Sequence, residues 1–449
     1  MNRFLSVIFM TLLLQSVSAN SIEDVIKNPL NLQQCIDVAL IHSAQVAQAN
    51  ANIEEYRARL SEVQANYYPK LSMLSYVAPM FTVIGDASTP DVERRFDLGS
   101  WGPSTRLEAL LAMPIYTFGR LEAGENAAKA RLDVEMSRLR EAENHVKVEV
   151  TKFYYTHLYA QTLLPHLNRA DIRLSEITEK AEELYAESSG KVTKVDLTKL
   201  AYAETEIKKY KFIAEEGAAL ALSALKHSMG LADSMNLTLE NKKIPKPSFN
   251  TKFDDLDTMI EVAKNNRPEW EQINAGLAAA SALRTSEKLA NRPVVFVAGS
   301  FEANWSPTRE DAVNPYQYDP YNNIFGGVAI GLKLDLDWAL QKSKIDAANA
   351  KLMQVNALKK LAITGIPLQI KKARSDVMTQ QETIQLSRKA RKAASKWVLF
   401  SAAAYTSGTG EVKDVLEGMA ATLKAKRDYY EGILNYYIAL AELNYALGK

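Results

Sequence analysis

Any chemistry this chain performs must come from a small set of side chains. Asp335 and Asp337 lie on one face of a segment with strand periodicity. Asp414 and Glu417, three residues apart, share one face of a helix. Carboxylate pairs do acid–base work only where a nucleophile, a base and an orienting group converge on them, and no such set is legible. Near a helix start, acids also simply favour the helix dipole. The five histidines, His42, His145, His157, His166 and His227, show no metal-ligand spacing to cysteines or acids. His157 and His166 read as packing or solvent-facing residues of a long helix. Ser189-Gly190-Lys191 matches a fragment of a phosphate loop, without the upstream glycine, the trailing Ser/Thr or a preceding strand. Cys35 is the single cysteine, so no intramolecular disulfide forms. It falls in a helical stretch, where a thiol behaves as a small hydrophobe. This inventory argues against an enzyme and implies no cofactor and no metal.

The elements that position these residues are unusual in length. The chain has 449 residues, 24% charged, with net charge +1. That is enough for two or more domains, and the charge balance argues against a nucleic-acid binder. Residues 1–19 read as a signal peptide: Arg3, then an apolar core from Phe4 to Leu14, then Val17-Ser18-Ala19. No other apolar run approaches ~20 residues, so an exported chain could span a membrane only as β structure.

Residues 323–338 supply the clearest β signal. Val328, Ile330, Leu332, Leu334, Leu336 and Trp338 alternate with Ala329, Gly331, Lys333, Asp335 and Asp337. The pattern fits a membrane-barrel strand with a lipid face, a lumen face and an interfacial aromatic. It also fits a half-buried strand of a soluble sheet.

In chain order, the periodicity predicts a helix over 31–67 stopped by Pro69 and a mixed apolar segment over 70–84. A Gly/Pro-rich loop over 85–103 and a strand over 104–118 follow. Helical sequence then runs over 119–187, about 100 Å at 1.5 Å per residue, with Pro165 expected to kink or break it. A turn at 188–190, a helix over 192–231 and a polar linker over 232–255 complete the first half. The order then recurs: helix 256–291 closed by Pro293, strand 294–305, loop 306–322, strand 323–338, long helix 339–405 with Pro367, turn 407–410, helix 412–447. Leu32, Ile36, Val38, Ala39 and Pro69 precede Leu256, Ile260, Val262, Ala263 and Pro293 by 224 positions. Tyr185 and Gly190 precede Tyr405 and Gly410 by 220. The expected organisation is a signal peptide over 1–19, a first repeat over 20–230 with a hairpin over 70–118, a linker over 231–255, and a second repeat over 256–449 with a hairpin over 294–338. The fold class is mainly α with a β-barrel portion.

Two hairpins give four strands. An open sheet edge is not viable in lipid, and closed barrels of this kind need at least about eight strands. Chains must therefore associate as dimers, trimers or tetramers.

These features resemble the TolC-type outer-membrane efflux and secretion channel family. The resemblance rests on Leu32-Gln-Gln-Cys-Ile-Asp-Val-Ala39, Tyr67-Tyr68-Pro69, Pro114-Ile-Tyr-Thr-Phe-Gly-Arg120, the stretch from Tyr405 to Leu416, and Asn444-Tyr-Ala-Leu-Gly448. It covers essentially the whole mature chain, and the order and duplication of the motifs are its specific part. It implies a homotrimer with a twelve-stranded barrel in outer-membrane lipid and a helical tunnel in the periplasm. It also implies a periplasmic adaptor and an inner-membrane transporter of RND, ABC or MFS type as partners, and no nucleic acid. The implied function is a passive duct for efflux of small molecules, or alternatively for type I protein secretion.

In this family the helix–turn–helix tips form the periplasmic entrance. The matching positions are Tyr405, Gly410, Asp414 and Glu417, with Tyr185 and Lys194 from the first repeat. Copied around a symmetric channel, Asp414 and Glu417 would make two negative rings, which favour cations. The sequence departs from the family where a basic residue is often found, since Gly410 stands there, and Lys194 occupies a place that can carry a latch aspartate. The expectation is a re-drawn latch pairing Lys194 with Asp414 or Glu411. Tyr67, Tyr68, Phe118 and Trp338 fall where strands meet long helices and read as the periplasmic-side aromatic girdle. Two rival readings are a pore-less periplasmic coiled coil and a soluble periplasmic enzyme.

Overall fold

The computed structural model describes residues 26, 28–84, 95–187, 192–249, 255–309, 316 and 318–449. The expected signal peptide, the 188–190 turn, the Ser189-Gly190-Lys191 fragment, and parts of the 85–103, 231–255 and 306–322 segments lie outside the described residues. The element order is α1 (Leu32–His42), α2 (Ala44–Gln64), a 3₁₀ turn (Ala65–Tyr67), β1 (Lys70–Ile84), β2 (Arg95–Tyr116), α3 (Arg120–Ala186) and α4 (Lys194–Ser228). Then follow α5 (Leu256–Asn266), α6 (Pro268–Leu289), β3 (Val294–Trp305), β4 (Asn323–Lys333), α7 (Trp338–Thr406) and α8 (Val412–Leu447). The helix-hairpin-helix-helix order thus occurs twice.

The chain forms two compact units, each contributed to by both halves. One comprises Met1–Asn52, Met136–Glu271 and Lys360–Lys449, the other Ile53–Glu135 and Gln272–Lys359. The first is a helical unit. Its main core joins Cys35, Tyr154, Leu158, Leu225, Met229, Ile370, Ile433 and Leu443. Cys35 is buried there as expected, and burial pushes its thiol up to about 12. A smaller core gathers Leu174, Ala181, Val192, Leu200, Ile207 and Val412, with Tyr405 and Leu416 packed against it.

Each expected entry helix is broken in two. The 31–67 helix stops at Ser43, whose extended ψ of 134° ends α1. The 256–291 helix stops at Arg267, with ψ 125°, and Pro268 opens α6. Arg267 precedes a proline, which disfavours helical ψ. The two breaks are 224 positions apart, at equivalent places in the repeat. Each receives a glycine from the end of another helix. Gly230 (φ +71°) lies so close to the first break that a Cβ would come 2.1 Å from the His42 carbonyl oxygen. Gly448 (φ +74°) meets the second, where a Cβ would come 2.6 Å from the Asn266 carbonyl carbon. Only glycine satisfies both the left-handed backbone and the approach.

The prolines behave differently. Pro165 and Pro367 lie inside continuous helices of 67 and 69 residues, so neither breaks its helix. The carbonyl of Pro165 accepts instead from Arg169 Nε at 3.0 Å.

The second unit contains a four-stranded antiparallel sheet in the order β1-β2-β3-β4. β2 starts earlier than its Gly/Pro content suggests. Asp97, Phe96 and Arg95 pair with Thr82, Val83 and Ile84 across a register shift. Asp97 Oδ1 accepts from the Gly99 amide at 3.0 Å and Trp101 Nε1 donates to the Leu98 carbonyl at 2.9 Å, so the displaced residues hydrogen-bond among themselves. β4 stops earlier than its alternation suggests, at Lys333. Lys333 pairs with Val294, the first residue of β3, and no partner remains beyond it.

Candidate functional site

The sheet sorts its side chains by face. The pairing register places Leu71, Met73, Val77 and Phe81 of β1 beside Leu111, Ala109, Thr105 and Trp101 of β2. It continues that face through Val295, Val297, Phe301 and Trp305 of β3 to Leu332, Ile330, Val328 and Ile324 of β4. This face carries no charged side chain, and its β4 members stand open: Val328 is 81% and Ile330 76% exposed. Every charged residue of the paired region (Lys70, Asp97, Arg106, Glu108, Glu302 and Lys333 among them) falls on the other face. There Arg106 pairs with Glu108 and, at 3.5 Å, with Glu302. Asn304 Nδ2 donates to Glu302 at 2.6 Å and the Tyr318 hydroxyl to the same carboxylate at 3.4 Å. Strict alternation of period two in four adjacent strands produces this separation. An exposed apolar face of this extent marks a lipid or protein contact.

The aromatics expected at the strand–helix junctions are found there. Tyr67 ends the 3₁₀ turn before β1 and Tyr68 follows it, both exposed. The Tyr67 hydroxyl bonds Glu125. Phe118, φ 52°, is the single described non-glycine residue with positive φ. Together with Gly119, φ 84°, it turns the chain from β2 into α3, and its ring meets Tyr116 edge-on at 4.6 Å. Trp338 is exposed but belongs to α7 rather than to β4. Asp337, expected on a lumen face, is the cap of α7: its Oδ1 accepts from the Leu340 amide at 3.1 Å. Asp335 pairs with Lys333 at 3.3 Å, exposed. The two do not form a carboxylate site.

In the helical unit, the second helix hairpin closes through one carbonyl. The Ala404 oxygen accepts from the amides of Thr409 and Gly410, both at 2.9 Å, and from the hydroxyls of Ser407 (3.0 Å) and Thr409 (3.2 Å). Gly408, φ +79°, makes the reversal. Gly410 lies against this wrap, and a Cβ there would come 2.8 Å from the Ala404 Cβ and 2.9 Å from the Tyr405 nitrogen. This explains in physical terms why no long basic side chain stands at 410: the turn leaves no room for its first carbon. Asp414 and Glu417 share the exposed face of α8, opposite buried Val412, Val415 and Gly418. Glu417 is engaged loosely by Lys413 at 3.9 Å.

The first hairpin starts α4 with a capping box. Thr193 accepts from the Asp196 amide at 3.2 Å, while Asp196 Oδ2 accepts from the Thr193 amide (3.1 Å) and hydroxyl (2.6 Å). These bonds, with Lys199 nearby, hold the Asp196 carboxyl below its usual range. Lys194 is exposed at the first turn of α4, and among the described residues it has no ion pair. The expected pairing of Lys194 with Asp414 or Glu411 is therefore not made within one chain. Tyr185 is exposed near the end of α3. Tyr405 differs: its hydroxyl is buried without a hydrogen-bond partner, and burial followed by the Asp196 charge pushes its pKa up. Sequence reasoning marked Tyr405 but missed the Ala404 carbonyl, because a backbone acceptor has no side-chain signature.

No protein-family profile matches the chain. Protein CyaE of Bordetella pertussis is 23% identical over 432 residues, covering 92% of this chain and 81% of that protein. The outer-membrane channel OprN superposes with TM-score 0.75 at 15% identity, over 93% of this chain and 89% of that one. The Campylobacter jejuni outer-membrane channel CmeC does so with TM-score 0.74 at 16% identity, over 93% and 85%. The resemblance read from the sequence thus holds at the level of the fold: this chain has the fold of the TolC-type outer-membrane channels.

Proposed function

We propose that the chain is one protomer of a homotrimeric outer-membrane export duct, passing small molecules driven outward by an inner-membrane transporter. The observation that carries this reading is the face separation of the sheet, with every charge on one side and an open apolar surface on the other. A lipid-facing barrel segment requires that arrangement, and a soluble sheet with both faces in water does not tolerate it. β1 and β4 each have one edge without a strand partner among the described residues. In lipid those edges must pair, so neighbouring copies supply them, and three copies give twelve strands. A periplasmic adaptor would couple the helical unit to the transporter. The Tyr67, Tyr68, Phe118 and Trp338 rings suit the periplasmic-side interface.

In this reading the hairpin tips decide passage. Asp414 and Glu417 would ring the entrance, with Tyr185, Lys194, Tyr405 and Gly410 around them. Among the described residues Lys194 has no ion pair, which suits a pairing with a neighbouring copy's acids. The purified protein in a planar bilayer should give discrete conductance steps, with Lys194→Glu raising the single-channel conductance. A detergent-free soluble chain with no conductance would overturn the duct. Unchanged conductance in Lys194→Glu would overturn only the latch.

A further inference from the structure

In the helical unit, three helices meet at a chain of contacts made almost wholly by cations and aromatic rings. Arg169 of α3 places Nη2 2.9 Å from His166 Nδ1. His166 Nε2 lies 3.4 Å from the Tyr430 hydroxyl of α8, and the two rings stack at 5.6 Å. Tyr430 meets Tyr429 edge-on at 5.2 Å, and the Arg391 guanidinium of α7 sits over the Tyr429 ring at 4.2 Å. Lys426, one turn before Tyr430, is half-buried. An arginine can only donate, so Nδ1 accepts from Arg169 and the imidazole proton sits on Nε2.

Carboxylates are missing from this cluster. Among the described residues none lies within ion-pair distance of Arg169, Arg173, Arg391 or Lys426. The acids nearest in sequence on α8, Asp428 and Glu431, are engaged by Arg427 at 3.0 and 3.8 Å. The electrostatics agree. Burial, then Lys426, Arg169, Arg391 and Lys243, push His166 down to about 4. Burial, then Arg169, Arg173 and Arg391, push the Lys426 ammonium down. Lys426 and Arg391 are half-buried, whereas Arg169 and Arg173 are exposed at the rim, and a half-buried cation left uncompensated is costly. His166 and Lys426 also line a cavity of about 1000 Å³ between α3, α4 and α8, which gives a ligand access; the two carboxylates on its wall, Glu206 and Glu417, are engaged by Lys209 at 2.5 Å and Lys413 at 3.9 Å.

We propose that Arg169, Arg391 and Lys426, arranged around His166, bind a small multivalent oxyanion of the phosphate or polycarboxylate class. Guanidinium forks match such oxygens in pairs, and the anion supplies the charge the cluster lacks. His166 is a positioning residue, orienting Arg169 through Nδ1. The proposal stands apart from the export reading, since binding is measured on the protein in detergent with no conduction involved.

The test titrates inorganic phosphate, and separately citrate, into the purified full-length protein, with chloride adjusted to constant ionic strength. Calorimetry and the apparent melting temperature are read together. Saturable heat and stabilisation by phosphate are expected. Lys426→Gln and Arg391→Gln should each weaken binding about tenfold, the loss of one charge-assisted contact. Lys426→Gln should also melt higher than wild type in anion-free buffer, because it removes an uncompensated charge. Lys371→Gln, on α7 outside the cluster, should bind as wild type. Equal stabilisation by chloride and phosphate would overturn the proposal. So would wild-type binding by Lys426→Gln. A lower melting temperature for Lys426→Gln without anion would overturn it too, since it would mean that a carboxylate from another copy already pairs the lysine.

Discussion

The two repeats break their entry helices at the same place and hold the breaks with different chemistry. At Ser43 the first repeat uses little beyond backbone: the hydroxyl accepts from the Gln45 amide at 3.3 Å, and Gly230 closes on the His42 carbonyl. At Arg267 the second repeat uses a side chain that is only 4% exposed. Its guanidinium pairs with Glu269 at 2.6 Å and donates to Gln369 Oε1 at 3.0 Å, tying the break to α7. The comparison teaches that the repeat conserves a backbone geometry, a bend that receives a left-handed glycine, while the polar groups around it are free to differ.

If the glycine seat is the shared element, breaking it should cost most in both halves. Gly230→Ala combines left-handed strain with a collision against a carbonyl oxygen, and about 3 kcal/mol or more is expected. Gly448→Ala should follow closely, its nearest atom being 2.6 Å away rather than 2.1 Å. Apparent melting temperatures of the two variants in detergent measure this. Tolerance of either alanine would show that the seats are not equivalent. The polar groups should then separate the repeats. Arg267→Met leaves Glu269 without its partner and should cost about 2 kcal/mol, discounted for the part-exposed carboxylate. Ser43→Ala should cost below about 1 kcal/mol. Equal losses would contradict the contrast.

The hairpin tips repeat the lesson. Glu411, at the cap of α8, makes no side-chain cap bond, whereas Thr193 and Asp196 cap α4 reciprocally. The second tip relies on the Ala404 carbonyl and a glycine that cannot grow. Gly410→Ala should cost about 1–2 kcal/mol through overpacking, seen as faster limited proteolysis within the 407–411 turn. If passage is decided at this tip, the same variant should raise single-channel conductance, and an unchanged trace with faster proteolysis would separate the two roles.

Much of this was legible in the sequence, and the failures share a cause. Strands and helices followed from period, because alternation over β3 and β4 and three-to-four spacing along α3 are local properties. Boundaries that depend on a partner were not legible. The alternation to Trp338 looks like strand, but β3 has no residue left to pair beyond Val294, so Asp337 turns into a helix cap. Residues 95–103 look like loop because of Gly99, Gly102 and Pro103, yet β1 recruits part of them. Ser43 carries no helix-breaking signal, while Arg267-Pro268 carries a weak one, since the residue before a proline disfavours helical ψ. At the candidate site, Tyr405 and the exposed acids were readable by position. The lysine-arginine group around His166 was not, because α3, α7 and α8 bring its members together from distant parts of the chain.

The smallest expected effect tests the tips by pH. In the folded chain the Asp196 carboxyl titrates below its ordinary value of about 3.9, held there first by the Thr193 hydroxyl and then by the Thr193 amide and Lys199. A depressed carboxyl contributes stability that is fully present above the unfolded value and is lost as pH falls through the folded one. The first tip should therefore keep its cap at pH 5 and lose it progressively below about 3.9. Glu411 has no such bonds at the second tip, so acid should loosen the first hairpin before the second. Hydrogen exchange of the α4 first turn, compared with that of α8 between pH 5 and 3, reads this difference directly. Asp196→Asn should cost about 1 kcal/mol at pH 7 and abolish the difference at pH 3, while Glu411→Ala should change neither. Acid-sensitive exchange appearing at α8 and absent at α4 would reverse the assignment, and with it the claim that the two tips close by different chemistry.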